Sequence, residues 1–103
     1  MSLPPRAYAQ SSFGQVHFCD TGGSGAALLL LHQAPLSLRQ FSAVYAPLAD
    51  AGLRAIGVDL PGFGASDPAG GGEEAPPTVE QYAEVVPAVL DHLGITRAHL
   101  CIV

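Results

Sequence analysis

Two short stretches hold most of the side chains able to do chemistry. The first is His32-Gln33-Ala34-Pro35, and the second is Asp59-Leu60-Pro61-Gly62-Phe63-Gly64-Ala65-Ser66-Asp67. Each follows an apolar run, so each sits where a buried strand hands over to a loop. A His at such a turn can hydrogen-bond a catalytic loop. For His32 the expected role is the plainer one of bracing the turn, since loop residues at sheet ends commonly hold backbone geometry. Asp59 can titrate as an acid catalyst, but its expected use is to accept hydrogen bonds from the loop amides beyond the strand. His17, His92 and His99 show no metal-ligand spacing such as H-E-x-x-H and are expected at the surface or at an edge. Neither a metal nor a cofactor is implied.

The glycines of the second stretch imitate two nucleotide motifs, and both fail. A G-x-G-x-x-G fingerprint needs a third glycine opening a helix, yet that place is Asp67 and a long loop follows. Asp59-Leu60-Pro61-Gly62 imitates a GTPase D-x-x-G, but the chain holds no lysine, so no phosphate loop can accompany it. The missing amine also excludes Schiff-base chemistry. Over 103 residues there are 4 basic side chains, all arginine, against 9 acids, a formal net charge of −5. That balance leaves no basic stripe for nucleic-acid phosphates or anionic lipid.

A hydrophobic content of 49% is too high for a disordered chain and implies a core, in a length that allows one domain. Cys19 and Cys101 fit no C-x-x-C spacing and read as free thiols in apolar runs, with a disulfide between them the alternative. The longest apolar run, Ala26 to Leu31, is six residues, far short of a membrane span. No apolar signal-peptide core follows the early Arg6. A soluble, cytoplasmic protein is expected.

Strand-like and helix-like segments must position the two stretches. Gln15 to Cys19 alternates, with Val16 facing one way and His17 the other, and Thr21 to Gly25 reads as a turn between two strands. Ala27 to Leu31 is apolar throughout, as in a strand covered on both faces. Ser37 and Gln40 read as a capping box, with Phe41, Val44, Tyr45 and Leu48 at helical spacing behind them. Arg54 to Leu60 is a second buried strand. The loop with Gly70 to Gly72, the solvated pair Glu73 and Glu74, and Pro76-Pro77 comes next. A second capping box, Thr78 and Gln81, then opens a helix carrying Val79, Tyr82, Val86, Val89, Leu90 and Leu93, with Pro87 expected to kink it. Ala98 to Val103 is a final strand. The order is hairpin, strand, helix, strand, helix, strand, which predicts an α/β unit with a mostly parallel sheet. In such sheets, ligands gather beyond the C-terminal strand ends, where both stretches lie.

An apolar strand ending His-x-x-Pro, a strand ending D-x-P-G-x-G-x-S, and a helix leading into an apolar strand occur in that order from about Val16 to Val103. In this the chain resembles the N-terminal portion of an α/β-hydrolase-fold protein, of the epoxide-hydrolase, dehalogenase and esterase-like branch. The resemblance implies one partial α/β-hydrolase domain over residues 1–103. It also implies that His32 and Gln33 belong to the oxyanion loop, with the backbone N–H of Ala34 as one oxyanion-hole donor. The family usually has Gly where this chain has Gln33, which adds a side-chain amide or a steric block.

The family's nucleophile elbow follows the strand matching Ala98 to Val103, and its acid and base lie further on. None of Ser12, Ser24, Ser37, Ser42 or Ser66 occupies an elbow, and no His matches the base. The expectation is therefore an N-terminal fragment of a hydrolase for an ester, amide, epoxide, halide or similar bond, inactive by itself. A small-molecule substrate would belong to the full-length parent. The alternative is a small non-catalytic α/β binding or interaction module. A finished small domain covers its last strand, whereas Ala98 to Val103 is apolar and open to self-association.

Overall fold

A computed structural model describes residues 3–69 and 78–102. The acidic loop read from Gly70 to Pro77 lies outside the described residues. β1 (Arg6–Gln10) and β2 (Gln15–Asp20) form an antiparallel hairpin, with Arg6 opposite Cys19 and Gln10 opposite Gln15. There follow β3 (Ala27–Leu31), a 3-10 turn (Leu38–Phe41), α1 (Tyr45–Asp50), β4 (Arg54–Val58), α2 (Val79–Ala83), α3 (Val85–Leu93) and β5 (His99–Ile102). The sheet order is β1-β2-β4-β3-β5. β3 runs parallel to both β4 and β5, while β2 meets β4 antiparallel. Parallel neighbours need long crossovers, and here they run through the helical segments. This is the α/β architecture expected.

The glycine-rich turn is a partial correction. Thr21 to Gly25 does join two strands, β2 and β3, but these are separated in the sheet by β4. The hairpin partner of β2 is β1, in which only Ala9 is buried. A strand burying one small side chain has too little alternation to announce itself.

Side chains on the two sides of the sheet form separate clusters. On one face Val16, Phe18, Leu29, Leu31, Ile56 and Val58 pack with Val85 and Val89 of α3. On the other, Cys19, Leu30 and Ala55 pack with Leu38, Phe41 and Tyr45. β3 is thus covered on both faces, which is why no polar residue interrupts it. Leu100 and Ile102 of β5 are 51% and 70% exposed.

Both helical segments divide about one turn ahead of a proline, Pro47 within α1 and Pro87 within α3. Pro47 offers no N–H to the Ala43 carbonyl, so the segment after β3 is a 3-10 turn and a separate α1 instead of one helix. Val44, expected in the stripe, is 40% exposed. The second capping box forms: Thr78 N–H donates to Gln81 Oε1 (2.9 Å), and Gln81 N–H to Thr78 Oγ1 (3.1 Å). Pro87 does more than kink its helix. Its missing N–H, which would bond the Ala83 carbonyl, splits the segment at Glu84 into α2 and α3.

Cys19 is a buried free thiol and Cys101 a half-buried one. Burial pushes the Cys19 thiol up. Among the described residues, no helix is long and apolar enough to cross a membrane.

At the end of β2, Asp20 takes a fork of hydrogen bonds from Arg54, Nε to Oδ1 at 3.0 Å and the terminal nitrogen to Oδ2 at 2.7 Å. Burial pushes the Asp20 carboxyl up, but the Arg54 and Gly22 hydrogen bonds and the Arg54 charge outweigh it and hold it below its ordinary value. A carboxyl depressed in the folded state stabilises above its unfolded pKa, about 4. That contribution is lost as pH falls through the lower folded value. Urea unfolding of Arg54→Met should therefore show a deficit of about 1 kcal/mol at pH 6 that closes as the pH falls below the ordinary carboxylate range. A deficit unchanged by pH would show that packing of the arginine stem, and not the pair, is responsible.

Candidate functional site

The parallel register sets Leu31 beside Val58, so the residues that follow, His32 and Asp59, leave adjacent strand ends together. The two chemistry-bearing stretches therefore form one neighbourhood. Asp59 is its hub, 1% exposed. Its Oδ1 accepts the Leu38 N–H (2.7 Å), and its Oδ2 accepts the Ala65 N–H (2.9 Å) and faces His17 Nδ1 at 2.8 Å. One carboxylate thus pins the turn after β3, the glycine loop after β4, and the middle of β2. Gly64 has φ +54°, and a Cβ there would overlap the Asp59 carboxylate. The glycine is required by close approach as much as by conformation.

His17 corrects the expectation of a surface or edge residue. It is 6% exposed. Successive residues of β2 from Val16 to Cys19 are all buried, so both of its faces are covered, and a buried imidazole there needs a partner. Asp59 supplies it. His92 and His99 are exposed as expected.

His32 is a brace. It is 3% exposed, its Nε2 accepts the Leu60 N–H at 2.9 Å, and its Nδ1 lies 2.8 Å from the Gln33 carbonyl oxygen. An acceptor at Nε2 leaves the proton on Nδ1, so the ring is a neutral Nδ1–H tautomer joining the ends of β3 and β4. The edge of Phe63 packs on it, ring centroids 5.7 Å apart.

Gln33, Ala34 and Pro35 are exposed, and the Ala34–Pro35 bond is cis. The Gln33 carbonyl accepts from Leu36 N–H (2.8 Å) as well as from His32. The Gln33 N–H donates to Gln40 Oε1 at 2.8 Å. Ala34 N–H has no hydrogen-bond partner among the described residues. Gln40 does not close the expected capping box, because its side chain turns back to Gln33 and Ser37 Oγ accepts from Arg39 instead (3.2 Å).

Ser66, His17 and Asp59 have the residue types of a hydrolytic triad, and the fold gathers them, but not as one. Ser66 Oγ accepts the His17 backbone N–H and donates to the Asp59 carbonyl, both at 2.8 Å. A hydroxyl engaged by main chain on both sides, and not facing the imidazole, is a tie between β2 and the glycine loop. Among the described residues no cluster of three or more His, Cys, Asp or Glu is placed to hold a metal ion. Sequence reasoning missed the burial of His17 and the reach of Gln40. Their partners lie 42 and 7 residues away, and no local pattern marks either contact.

Comparison with known proteins matches residues 26–102 to a family model described as the alpha/beta hydrolase fold. Over 90 residues the chain is 40% identical to a 2-hydroxy-6-oxononadienedioate/2-hydroxy-6-oxononatrienedioate hydrolase of Burkholderia vietnamiensis, covering 84% of this chain and 30% of that protein. It is 37% identical to bifunctional epoxide hydrolase 2 of Mus musculus, covering 82% of this chain and 15% of the other. An esterase from Exiguobacterium antarcticum superposes with a TM-score of 0.76 at 28% identity, over 91% of this chain and 34% of that structure. The chain thus spans less than a third of the length of the curated relatives it matches.

Proposed function

The chain belongs to the α/β hydrolase fold family, and on that premise we propose that residues 1–103 carry the oxyanion side of a hydrolase centre. The reaction class is attack on an ester, amide, epoxide, halide or similar carbon centre in a small molecule. The observation that supports it best is the N–H of Ala34, an exposed residue beyond β3, which has no partner among the described residues. A fixed amide aimed at developing negative charge stabilises the transition state because it needs no reorganisation as the charge appears. His32 and Gln33 shape the loop that presents this donor. The named relatives, a hydrolase, an epoxide hydrolase and an esterase, fit that class. A reducing, cytoplasmic setting accords with the two free thiols.

Among the described residues no side chain is arranged as nucleophile, acid or base. By themselves residues 1–103 should leave a p-nitrophenyl ester at the buffer rate, indistinguishable from Ser66→Ala and His32→Ala controls. A hybrid joining residues 1–103 to the remaining sequence of the Burkholderia vietnamiensis hydrolase should turn the ester over. Turnover by residues 1–103 well above the two controls would sink the reading.

A further inference from the structure

The loop after β3 has two consecutive exposed residues, Gln33 and Ala34, and it treats their amides differently. Gln33 N–H is taken by Gln40 Oε1 at 2.8 Å, while Ala34 N–H is not taken by any described residue. We infer that Gln40 is a positioning residue that withdraws the Gln33 amide, so that the loop offers a single donor, Ala34, to a substrate oxygen. This rests on the oxyanion reading above.

The geometry of the peptide planes carries it. The Gln33 carbonyl and the Ala34 N–H belong to one peptide unit, and that carbonyl accepts from both Leu36 N–H and His32 Nδ1, at 2.8 Å each. Donors at the carbonyl end polarise the N–H at the other end and strengthen it. The preceding unit ends in the Gln33 N–H, and Gln40 fixes it from the 3-10 turn. That turn is itself anchored, through Leu38 N–H, on the buried Asp59. One plane is therefore held from within the loop, by His32 and Leu36, and the other from outside it, by Gln40. The side chain responsible is also the one that leaves the expected capping box unmade. A helix start loses a small contribution there, and the loop gains a fixed orientation.

The test uses 15N-labelled residues 1–103 and amide hydrogen exchange. After correction for intrinsic rates, Gln33 should exchange about tenfold or more slowly than Ala34. Gln40→Leu should abolish that difference while leaving Leu29 and Leu30 of β3 protected, and Gln40→Glu, which keeps an oxygen acceptor, should restore it. Equal rates at Gln33 and Ala34 in the unaltered protein would overturn the inference. So would protection that survives Gln40→Leu or fails to return with Gln40→Glu. Titration with phenylphosphonate adds a readout that a merely structural contact would not move. Only the Ala34 amide should shift in the unaltered protein, and both amides should shift in Gln40→Leu. If Ala34 shifts in none of the proteins, the oxyanion reading itself is overturned, and the exchange rates distinguish that failure from loss of the Gln40 contact.

Discussion

Replacing Asp59 with alanine should destabilise the fold by about 3–5 kcal/mol, read as a fall in the urea midpoint at constant m-value. Removing one member of a buried pair leaves the other uncompensated, and here three donors lose their acceptor at once: the Leu38 amide, the Ala65 amide and His17 Nδ1. Each stranded buried donor costs on the order of 1–3 kcal/mol. Against a total stability of about 5–15 kcal/mol for an ordinary domain, the loss is a large fraction. Asp59→Asn should cost less, because one oxygen still serves Leu38, although its NH2 then meets the Ala65 N–H. His17→Ala combined with Asp59→Ala should be clearly less than additive, since the two share one contact. An Asp59→Ala deficit below about 1 kcal/mol would show that water replaces the carboxylate, and the hub description would fail.

In the hybrid enzyme, Ala34→Pro should lower kcat by about 10²–10³, with KM little changed. The substitution deletes one N–H and adds no charge. The expected loss is that of a single oxyanion donor, about 2.7–4 kcal/mol in the transition state. Because Ala34 is exposed and its N–H serves no described residue, the folded state should lose little, and the urea midpoint should stay near that of the parent hybrid. A fall in kcat/KM through KM alone would reassign Ala34 to ground-state binding. An unchanged kcat would remove the loop from the reaction.

The two strand ends were legible because their signals are local. Apolar runs at Ala27 to Leu31 and Ala55 to Val58 imply strands covered twice, and the stop residues after them mark where loops begin. Asp59 as a receiver of loop amides was readable for the same reason, since an Asp followed by Pro and Gly has amides within reach. His17 was not. Its position in β2 says which way it points, but its burial depends on β1, whose sequence barely signals a strand, and its partner comes from the far end of β4. Gln40 misled in another way: Ser37 and Gln40 satisfy a capping pattern, yet the same amide oxygen had a competing donor in Gln33.

Residue order alone was enough for the α/β class, for the exclusion of lysine-dependent chemistries, and for the placing of both chemistry-bearing stretches at strand ends. These depend on hydrophobic period, on turn chemistry and on which functional groups exist at all, and each of those is a property of neighbours in the chain. Tertiary structure decided the pairing of β1 with β2, the interposition of β4 between β2 and β3, and the division of labour among polar groups. Asp59 became a hub, Ser66 a tie, His32 a brace, and one amide of the loop was left available. A hydrogen-bonding group in a chain can meet many partners, and only packing selects among them, because a buried donor must find an acceptor within about 3 Å or leave the fold less stable.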